Sequence, residues 1–151
     1  SKLFDSDGVA TKKRHVVENG KLVSYVLGGY SAKRLGLDPT GNADGIQTWL
    51  VKDEQGLSLN DLLSKMDNGL YVTEMMGSGV DLTTGDFSQG VFGFWVEAGQ
   101  IKYPVHEVTI AGNLKQMFSS CLGIGIDIDK RGVIQSGSML VDKMVIAGSG
   151  S

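Results

Sequence analysis

The sequence has almost no cysteine, little proline, no long apolar run and no excess of positive charge. Its single cysteine, Cys121, cannot form a disulfide within the chain, which favours a reducing compartment over secretion. No stretch reaches the roughly 18 apolar residues that a membrane-spanning helix needs. The net charge of −3 leaves no global positive field to attract nucleic acid or an anionic membrane. We therefore expect neither nucleic acid nor a membrane as a direct partner.

Glycine is the residue type in excess, with 22 of 151 positions, about twice the usual fraction of roughly 7%. Because there are only two prolines, this is not a collagen or linker composition. Hydrophobic residues at 41% and charged residues at 21% are typical of a globular chain. The excess of glycine predicts many tight turns between short strands.

Both ends of the chain carry signals of their own. The start, Ser1–Asp5, lacks an initiator Met and the layout of a signal peptide, so we interpret it as cut from a longer protein. The end, Gly148–Ser151, resembles a linker or a natural frayed tail. We predict a single domain over residues 1–148 and a linker or appended tail over residues 149–151.

Two hairpins are indicated by turn residues between alternating apolar runs. Asn19-Gly20 separates residues 15–18 from residues 21–25, and Asn-Gly favours a type I′ turn because both positions need positive φ. Ala98-Gly99 separates residues 93–97 from residues 100–103 in the same way.

Three short helices are predicted. The first covers Tyr30–Leu35, with Ser31 as its N-cap and Gly36 at its end. The second covers Ser58–Met66 and places Leu59, Leu62, Leu63 and Met66 on one apolar face. The third covers Asn113–Cys121, begins with an Asn cap, and is predicted to bury Leu114, Met117, Phe118 and Cys121.

Short strands are predicted through the rest of the chain, at residues 46–51, 69–76, 79–82, 87–97, 100–110, 122–128 and 139–146. Many short strands with about three short helices predict an α+β, mainly β fold, built as a sheet or a barrel-like domain.

No metal-site motif is complete. His106-Glu107 begins like a helical zinc motif, but positions 110 and 111 hold Ile110 and Ala111 where the second His would stand. The only other histidine, His15, is distant in sequence. Both histidines are interpreted as surface residues or hydrogen-bonded strand ends.

The remaining motifs also fail. Asp127-x-Asp129 resembles half of a calcium loop, but Ser138 stands where the acidic twelfth residue belongs. The segment Asp127–Arg131 is therefore interpreted as a solvated turn with local ion pairs. Cys121 is predicted to be structural rather than reactive. We predict no catalytic residue and no metal ligand in this chain.

Several stretches, taken together in order over about residues 5–148, resemble one known family, the TldD/PmbA (TldE) proteins, and within it the PmbA branch. Each fragment is weak alone, and their order and spacing make the match specific. The stretches are Tyr30–Leu37, Thr40–Ala43, Gly69–Gly77, Thr84–Ser88, Gly93–Glu97, Ile101–Val105, Thr109–Lys115, Ile124-Gly125 with Asp127-Ile128, and Ile134–Ser138.

The resemblance implies the C-terminal domain of a longer protein that belongs to a cytoplasmic, two-subunit, zinc-dependent peptidase. This complex matures precursor peptides and degrades unfolded ones, and an older name calls its proteins modulators of DNA gyrase. In the family the TldD-type subunit holds the zinc, through an upstream His-Glu-x-x-x-His helix and a Cys from the C-terminal domain. The PmbA-type subunit is thought to support it.

The family's ligand Cys aligns near Ser136 of this chain, and a hydroxyl is a poor zinc ligand. The resemblance therefore implies a non-catalytic PmbA-type subunit, with zinc expected in a TldD-type partner and not in this chain. The alternative is a zinc metallopeptidase whose site is completed by the missing N-terminal region, so whether the chain is part of an enzyme stays open. Self-association as a homodimer stays open as well.

Contacts with the partner subunit or with peptide substrates are expected at exposed aromatic and methionine side chains, which suit adaptable surfaces. Ordinary core packing is the alternative for the same residues. The candidates are Met75, Met76, Phe92, Phe94 and Trp95.

Overall fold

The computed structural model describes residues 2–148, so the predicted tail at residues 149–151 lies outside the described part. The chain divides into two compact units. The first holds the described residues up to Leu50 together with Arg131–Gln135, and the second holds Val51–Lys130 with the described residues from Ser136 onward. The single domain over residues 1–148 stays a prediction.

The regular elements of the described residues are strands, most of them short, and three short helices, which confirms the predicted mainly β, α+β class. None of these helices has the length and apolar character required to cross a membrane. In chain order the elements are β1 (Val17–Glu18), β2 (Lys21–Leu22), α1 (Gly29–Leu35), β3 (Trp49–Val51), α2 (Leu59–Met66), β4 (Gly69–Met76), β5 (Asp86–Glu97), β6 (Gln100–Asn113), α3 (Leu114–Ser119), β7 (Cys121–Ile124), β8 (Ile134–Ser136), β9 (Met139–Val141) and β10 (Val145–Ala147).

In the first unit, β1 and β2 form the predicted antiparallel hairpin. Asn19 and Gly20 both have positive φ, 51° and 74°, as a type I′ turn requires. Helix α1 ends at Gly36 in the left-handed conformation, also as predicted. The prediction of Ser31 as N-cap is wrong, because the helix begins at Gly29 and the Ser31 hydroxyl donates back to the carbonyl of Gly28.

The second unit is built on an open four-stranded antiparallel sheet in the order β10-β6-β5-β4. The second predicted hairpin joins β5 to β6, with Ala98 and Gly99 both at positive φ. The hydrophobic core of this sheet consists of Phe87, Val91 and Ile110. Partly buried side chains of β4, β6, α3 and the segment before β10 pack against it.

Helix α2 covers the predicted range and buries Leu62 and Leu63, two of the four residues on its predicted apolar face. Its first turn is closed by a capping box. The backbone N–H of Asp61 donates to the Ser58 hydroxyl, and the carboxylate of Asp61 accepts from the Ser58 backbone and hydroxyl.

Several predictions in the second unit are wrong. Helix α3 buries none of its residues, and Phe118 is 64% exposed. The helix ends at Ser119, so Cys121 opens β7 instead of completing a helical face. Residues 79–82 form no strand, because the chain makes only a single bridge between Val80 and Phe87.

The Asn113 cap of α3 is confirmed, since its side chain accepts from the N–H of Lys115.

Replacing Ser58 with Ala should lower the free energy of unfolding by about 1 kcal/mol, because it removes the two hydrogen bonds that the Ser58 hydroxyl makes with the N–H and the carboxylate of Asp61. Denaturant unfolding of the whole chain measures this. Ser64→Ala, an exposed substitution on the same helix, should change stability by only a few tenths of a kcal/mol. Equal effects of the two variants would show that the capping box does not stabilise α2.

Candidate functional site

Ser136, which the resemblance predicts to stand at the family's ligand-cysteine position, is the last residue of β8 and is half-buried. Its hydroxyl donates to the carbonyl oxygen of Gly137 at 3.0 Å. Within residues 2–148 no group of three or more His, Cys, Asp and Glu side chains is placed to hold a metal ion. Ser136 is therefore surrounded by backbone hydrogen bonds and not by a set of ligands from the described residues.

The backbone on both sides of Ser136 is fixed by the segment that follows β7. The N–H of Gly125 donates to the carbonyl of Ser138 at 2.7 Å, and the N–H of Asp129 donates to the carbonyl of Ser136 at 3.1 Å. Gly137 lies directly on Gly125, where an added Cβ would come within 1.9 Å of the Gly125 carbonyl oxygen. Any side chain at position 137 would thus force the two segments apart.

The side chain of Asp127 links the segment after β7 to the segment after β8. Its carboxylate accepts from the backbone N–H of Ser138 at 2.9 Å and from the Ser138 hydroxyl at 2.6 Å. Partial burial raises the pKa of Asp127, but the hydrogen bonds from Ser138 and from the backbone N–H of Asp127 itself together hold this pKa below its ordinary value. Asp127 thus engages Ser138 with both carboxylate oxygens, which the interpretation of this segment as a solvated turn did not include.

The sequence offered only an indirect signal for this Asp127–Ser138 contact. The two residues are eleven positions apart, and the glycines that allow the segments to meet, Gly125 and Gly137, look like ordinary turn residues. The pattern to look for would have been a glycine with a carboxylate on one segment and a glycine with a hydroxyl on the other.

The methionine candidates lie on β4, an edge strand of the four-stranded sheet. Met75 is 56% exposed and Met76 is 41% exposed. Met75 pairs opposite the core residue Val91, whereas Met76 pairs opposite Gly90 and covers it. The two methionines therefore point to opposite faces of the sheet.

The aromatic candidates lie on β5, next to that edge, and each is half-buried. Phe92 and Phe94 share the face of Met76, because they pair opposite Glu74 and Tyr71. Trp95 pairs opposite Leu70, a residue that packs against the core, and so lies on the other face. The structure thus brings Met76, Phe92 and Phe94 to one face and places Met75 and Trp95 on the opposite one.

The two histidines and the cysteine are engaged locally. In the first unit, His15 lies 3.4 Å from the Glu18 carboxylate. In the second unit, the His106 ring meets the Phe92 ring edge-on, with centroids 5.8 Å apart. Cys121 is half-buried, and its thiol lies 3.6 Å from the carbonyl of Gly123. The histidine contacts agree with the interpretation of both as surface residues.

Sequence comparison places the chain beside known metalloproteases. The profile of the PmbA/TldA metallopeptidase C-terminal domain matches residues 1–148. The chain is 51% identical over 146 residues to a metalloprotease PmbA homolog of Haemophilus influenzae, covering 97% of this chain and 32% of that protein. It is 24% identical over 140 residues to a metalloprotease TldD homolog of Buchnera aphidicola, covering 83% of this chain and 28% of that protein. The chain spans about a third of the length of the curated relatives it matches.

Structure comparison finds a solved protein with a similar fold. A Thermotoga maritima protein, named for the modulation of a DNA gyrase, superposes with a TM-score of 0.88 at 32% identity. The match covers 97% of this chain and 36% of that protein.

The Asp127→Asn variant should lose part of its stability at neutral pH, by up to about 1 kcal/mol, because an amide replaces the charged acceptor of Ser138. The pKa of Asp127 is lowered in the folded chain, so its stabilising share is complete above the ordinary value of 3.8. That share is lost as the pH falls through the lower folded-state pKa. Denaturant unfolding between neutral and acidic pH should show a shallower acid loss in the variant than in the wild type.

Asp142→Asn is the matched control for this experiment, since Asp142 is an exposed aspartate of the same unit. An acid profile that is the same for Asp127→Asn and the wild type would contradict a stabilising role of the Asp127–Ser138 contact.

Proposed function

This chain belongs to the PmbA/TldA metallopeptidase family, and we propose that it is the C-terminal domain of a PmbA (TldE)-type subunit that supports a zinc-holding TldD-type subunit in the cytoplasm. In this proposal the complex processes peptides. The chain supplies no catalytic residue and no zinc ligand, and contributes surfaces that contact the partner subunit or the peptide.

The observation that carries the proposal is the serine at position 136. Zinc is bound in proteins by thiolate, imidazole and carboxylate groups, and a neutral hydroxyl is a poor replacement for a thiolate. The Ser136 hydroxyl donates a hydrogen bond to the carbonyl of Gly137, which cannot take up its proton, so the contact does not convert the hydroxyl into an anionic ligand. A histidine pair brought from another part of the protein would therefore meet no strong third ligand here.

The difference in identity to the two branches supports the same assignment. The chain shares 51% of its residues with the PmbA homolog and 24% with the TldD homolog over matches of similar length. This favours a PmbA-type subunit, and a TldD-type subunit is then the expected partner.

The free edge of β4 supports a role in contacting extended polypeptide. An edge strand presents backbone N–H and C=O groups that a further strand can pair with. Residues Thr73–Met76 are all exposed, and no lysine or proline of β4 blocks the edge. Met75 and Met76 offer flexible apolar contacts on both sides of an added strand.

The first test counts zinc in purified proteins. We would purify this chain and its full-length parent, each alone and together with the TldD-type protein of the same organism. We expect zinc only when the TldD-type protein is present, and Ser136→Ala should change neither zinc content nor peptide cleavage by the complex. Stoichiometric zinc and peptide cleavage by the parent alone would instead favour a metallopeptidase completed by its own N-terminal region.

Ser136→Cys in the parent makes this test sharper, because it supplies the missing thiolate at the aligned position. Under the proposal the variant alone still binds no stoichiometric zinc, since the other ligands belong to the partner subunit. Recovery of zinc and cleavage by the variant alone would show that residue 136 was the only missing group.

The second test concerns the β4 edge. The Met75→Lys/Met76→Lys double variant of the parent should bind the TldD-type subunit or the peptide on the order of tenfold more weakly, because it replaces apolar contacts with charge at the edge. Titration by calorimetry measures both affinities. Leu82→Lys/Phe118→Lys is the matched control, since both of its positions are exposed apolar residues that do not belong to β4. Equal losses in both double variants would contradict a specific role for this edge.

A further inference from the structure

The open edge of β4 carries a carboxylate among apolar side chains. Glu74 pairs opposite Phe92, and Met76 follows two residues later, so these three side chains lie on one face of the sheet. Glu74 and Met76 are exposed, and Phe92 is half-buried. Residues 74–76 keep a regular register with β5, beyond the irregularity at Thr73. The register therefore places one carboxylate beside apolar side chains at the edge where a further strand would pair.

No positive charge compensates this carboxylate. Residues 66–101, which include β4 and β5, contain five acidic residues and no Lys, Arg or His, a charge of −5, while the rest of the chain carries +2. Within residues 2–148, Glu74 takes part in no ion pair and its carboxylate in no hydrogen bond. The His106 ring, which meets Phe92, belongs to β6, and β6 runs about 10 Å from β4 because β5 lies between them.

An extended peptide that paired with β4 would bring its side chains into register with this edge. Residues directly opposite each other in paired strands share a face, with Cβ atoms about 4.5–5.5 Å apart. The peptide residue opposite Glu74 would therefore meet the carboxylate, and the next two would meet Met75 and Met76. Opposite charges at such positions stabilise the pairing of strands, and like charges weaken it.

We propose that the β4 edge selects extended peptide segments that place a lysine or an arginine opposite Glu74 and apolar residues opposite Met75 and Met76. This inference rests on the proposed role of the edge in contacting extended polypeptide, and it adds the chemistry of the segment that is contacted. Glu74 is then a specificity-determining residue, whereas the β4 backbone supplies affinity that does not depend on the peptide's sequence.

Charge argues against two other occupants. A second copy of the chain that paired through its own β4 edge would bring two Glu74 carboxylates and two regions of charge −5 together, which like-charge repulsion opposes. The phosphates of nucleic acid are repelled by the same charge. A basic segment with apolar side chains complements both the carboxylate and the methionines of this edge.

The test uses the full 151-residue chain and a fluorescent synthetic peptide with the core Val-Val-Lys-Val-Val between Gly-Ser and Ser-Gly. This sequence is the same in both directions, so its lysine can face Glu74 with valines opposite both methionines whichever way the added strand runs. Matched peptides replace the lysine with Thr or Glu. We expect the Lys peptide to bind with a Kd below about 1 mM and about tenfold more tightly than the Glu peptide, with the Thr peptide between them. This preference should shrink as salt is raised.

Variants of Glu74 test its part in the selection. Glu74→Gln should reduce the preference for the Lys peptide over the Glu peptide to about threefold or less, and Glu74→Lys should reverse it. Glu97→Lys is the matched control, because Glu97 is an exposed carboxylate at the end of β5, five residues or about 16 Å beyond Phe92. This separation exceeds the Debye length of about 8 Å, so the control should keep the wild-type preference within about twofold. Circular dichroism confirms that each variant is folded.

A Lys peptide methylated on the backbone nitrogens of its core tests strand addition, because it cannot donate hydrogen bonds to the edge. It should bind about tenfold or more weakly. Equal binding of the Lys, Thr and Glu peptides, or an equal change of preference in Glu74→Lys and Glu97→Lys, overturns selection by Glu74 while the edge keeps its proposed role. Equal binding of the methylated peptide, or no binding of any peptide, overturns that role and the selection together.

The other occupants give results of their own. A short DNA duplex that binds more tightly than the Lys peptide overturns the proposal. Self-association of the wild type that Met75→Lys/Met76→Lys abolishes would assign the edge to a second copy instead.

Discussion

The pairing of β5 with β6 is the constraint on which the second unit depends. The register runs from Glu97 opposite Gln100 at the turn to Asp86 opposite Asn113 at the far end. Strands β4 and β10 attach to its two sides, and α3 begins where β6 ends. The turn between β5 and β6 also contacts the end of α2, because the N–H of Gly99 donates to the carbonyl of Asp67, the C-cap of that helix. A slip of one residue in this register would exchange the core face for the outer face along the whole sheet.

Irregularities in this register decide where the candidate side chains point. The ladder shifts between Val91 and Gly93 on the β6 side, where Glu107 has a φ of 55°, and between Val72 and Glu74 on the β4 side. Bulges of this kind redirect side chains without ending the strand. They keep Phe92 over His106 on the outer face while Val91 stays in the core. The sheet thus has its core on one face and Phe92 and Phe94, next to the edge strand β4, on the other.

Local signals in the sequence were sufficient for the hairpins and for α2. Asn19-Gly20 and Ala98-Gly99 dictate their turns through backbone conformation, and Ser58 with Asp61 sets the start of α2, so no distant residue is needed. Strand β8 and the Asp127–Ser138 contact could not be predicted, because both depend on segments that meet only after folding. The family resemblance pointed to Ser136. The backbone hydrogen bonds that fix this residue could not be predicted, because they come from a segment that meets it only after folding.

The contacts around Ser136 also bear on how this position can change during evolution. The backbone path there is set by Gly125, Asp127, Gly137 and Ser138, and the side chain of residue 136 adds only its bond to the next carbonyl. Most serine codons become a cysteine codon by a single nucleotide change, and such a change would leave those four residues untouched. Gly137 has no comparable freedom, since every other residue would collide with Gly125. A thiol can therefore be gained or lost at this point of the fold in one mutational step, while the loop that presents it stays the same.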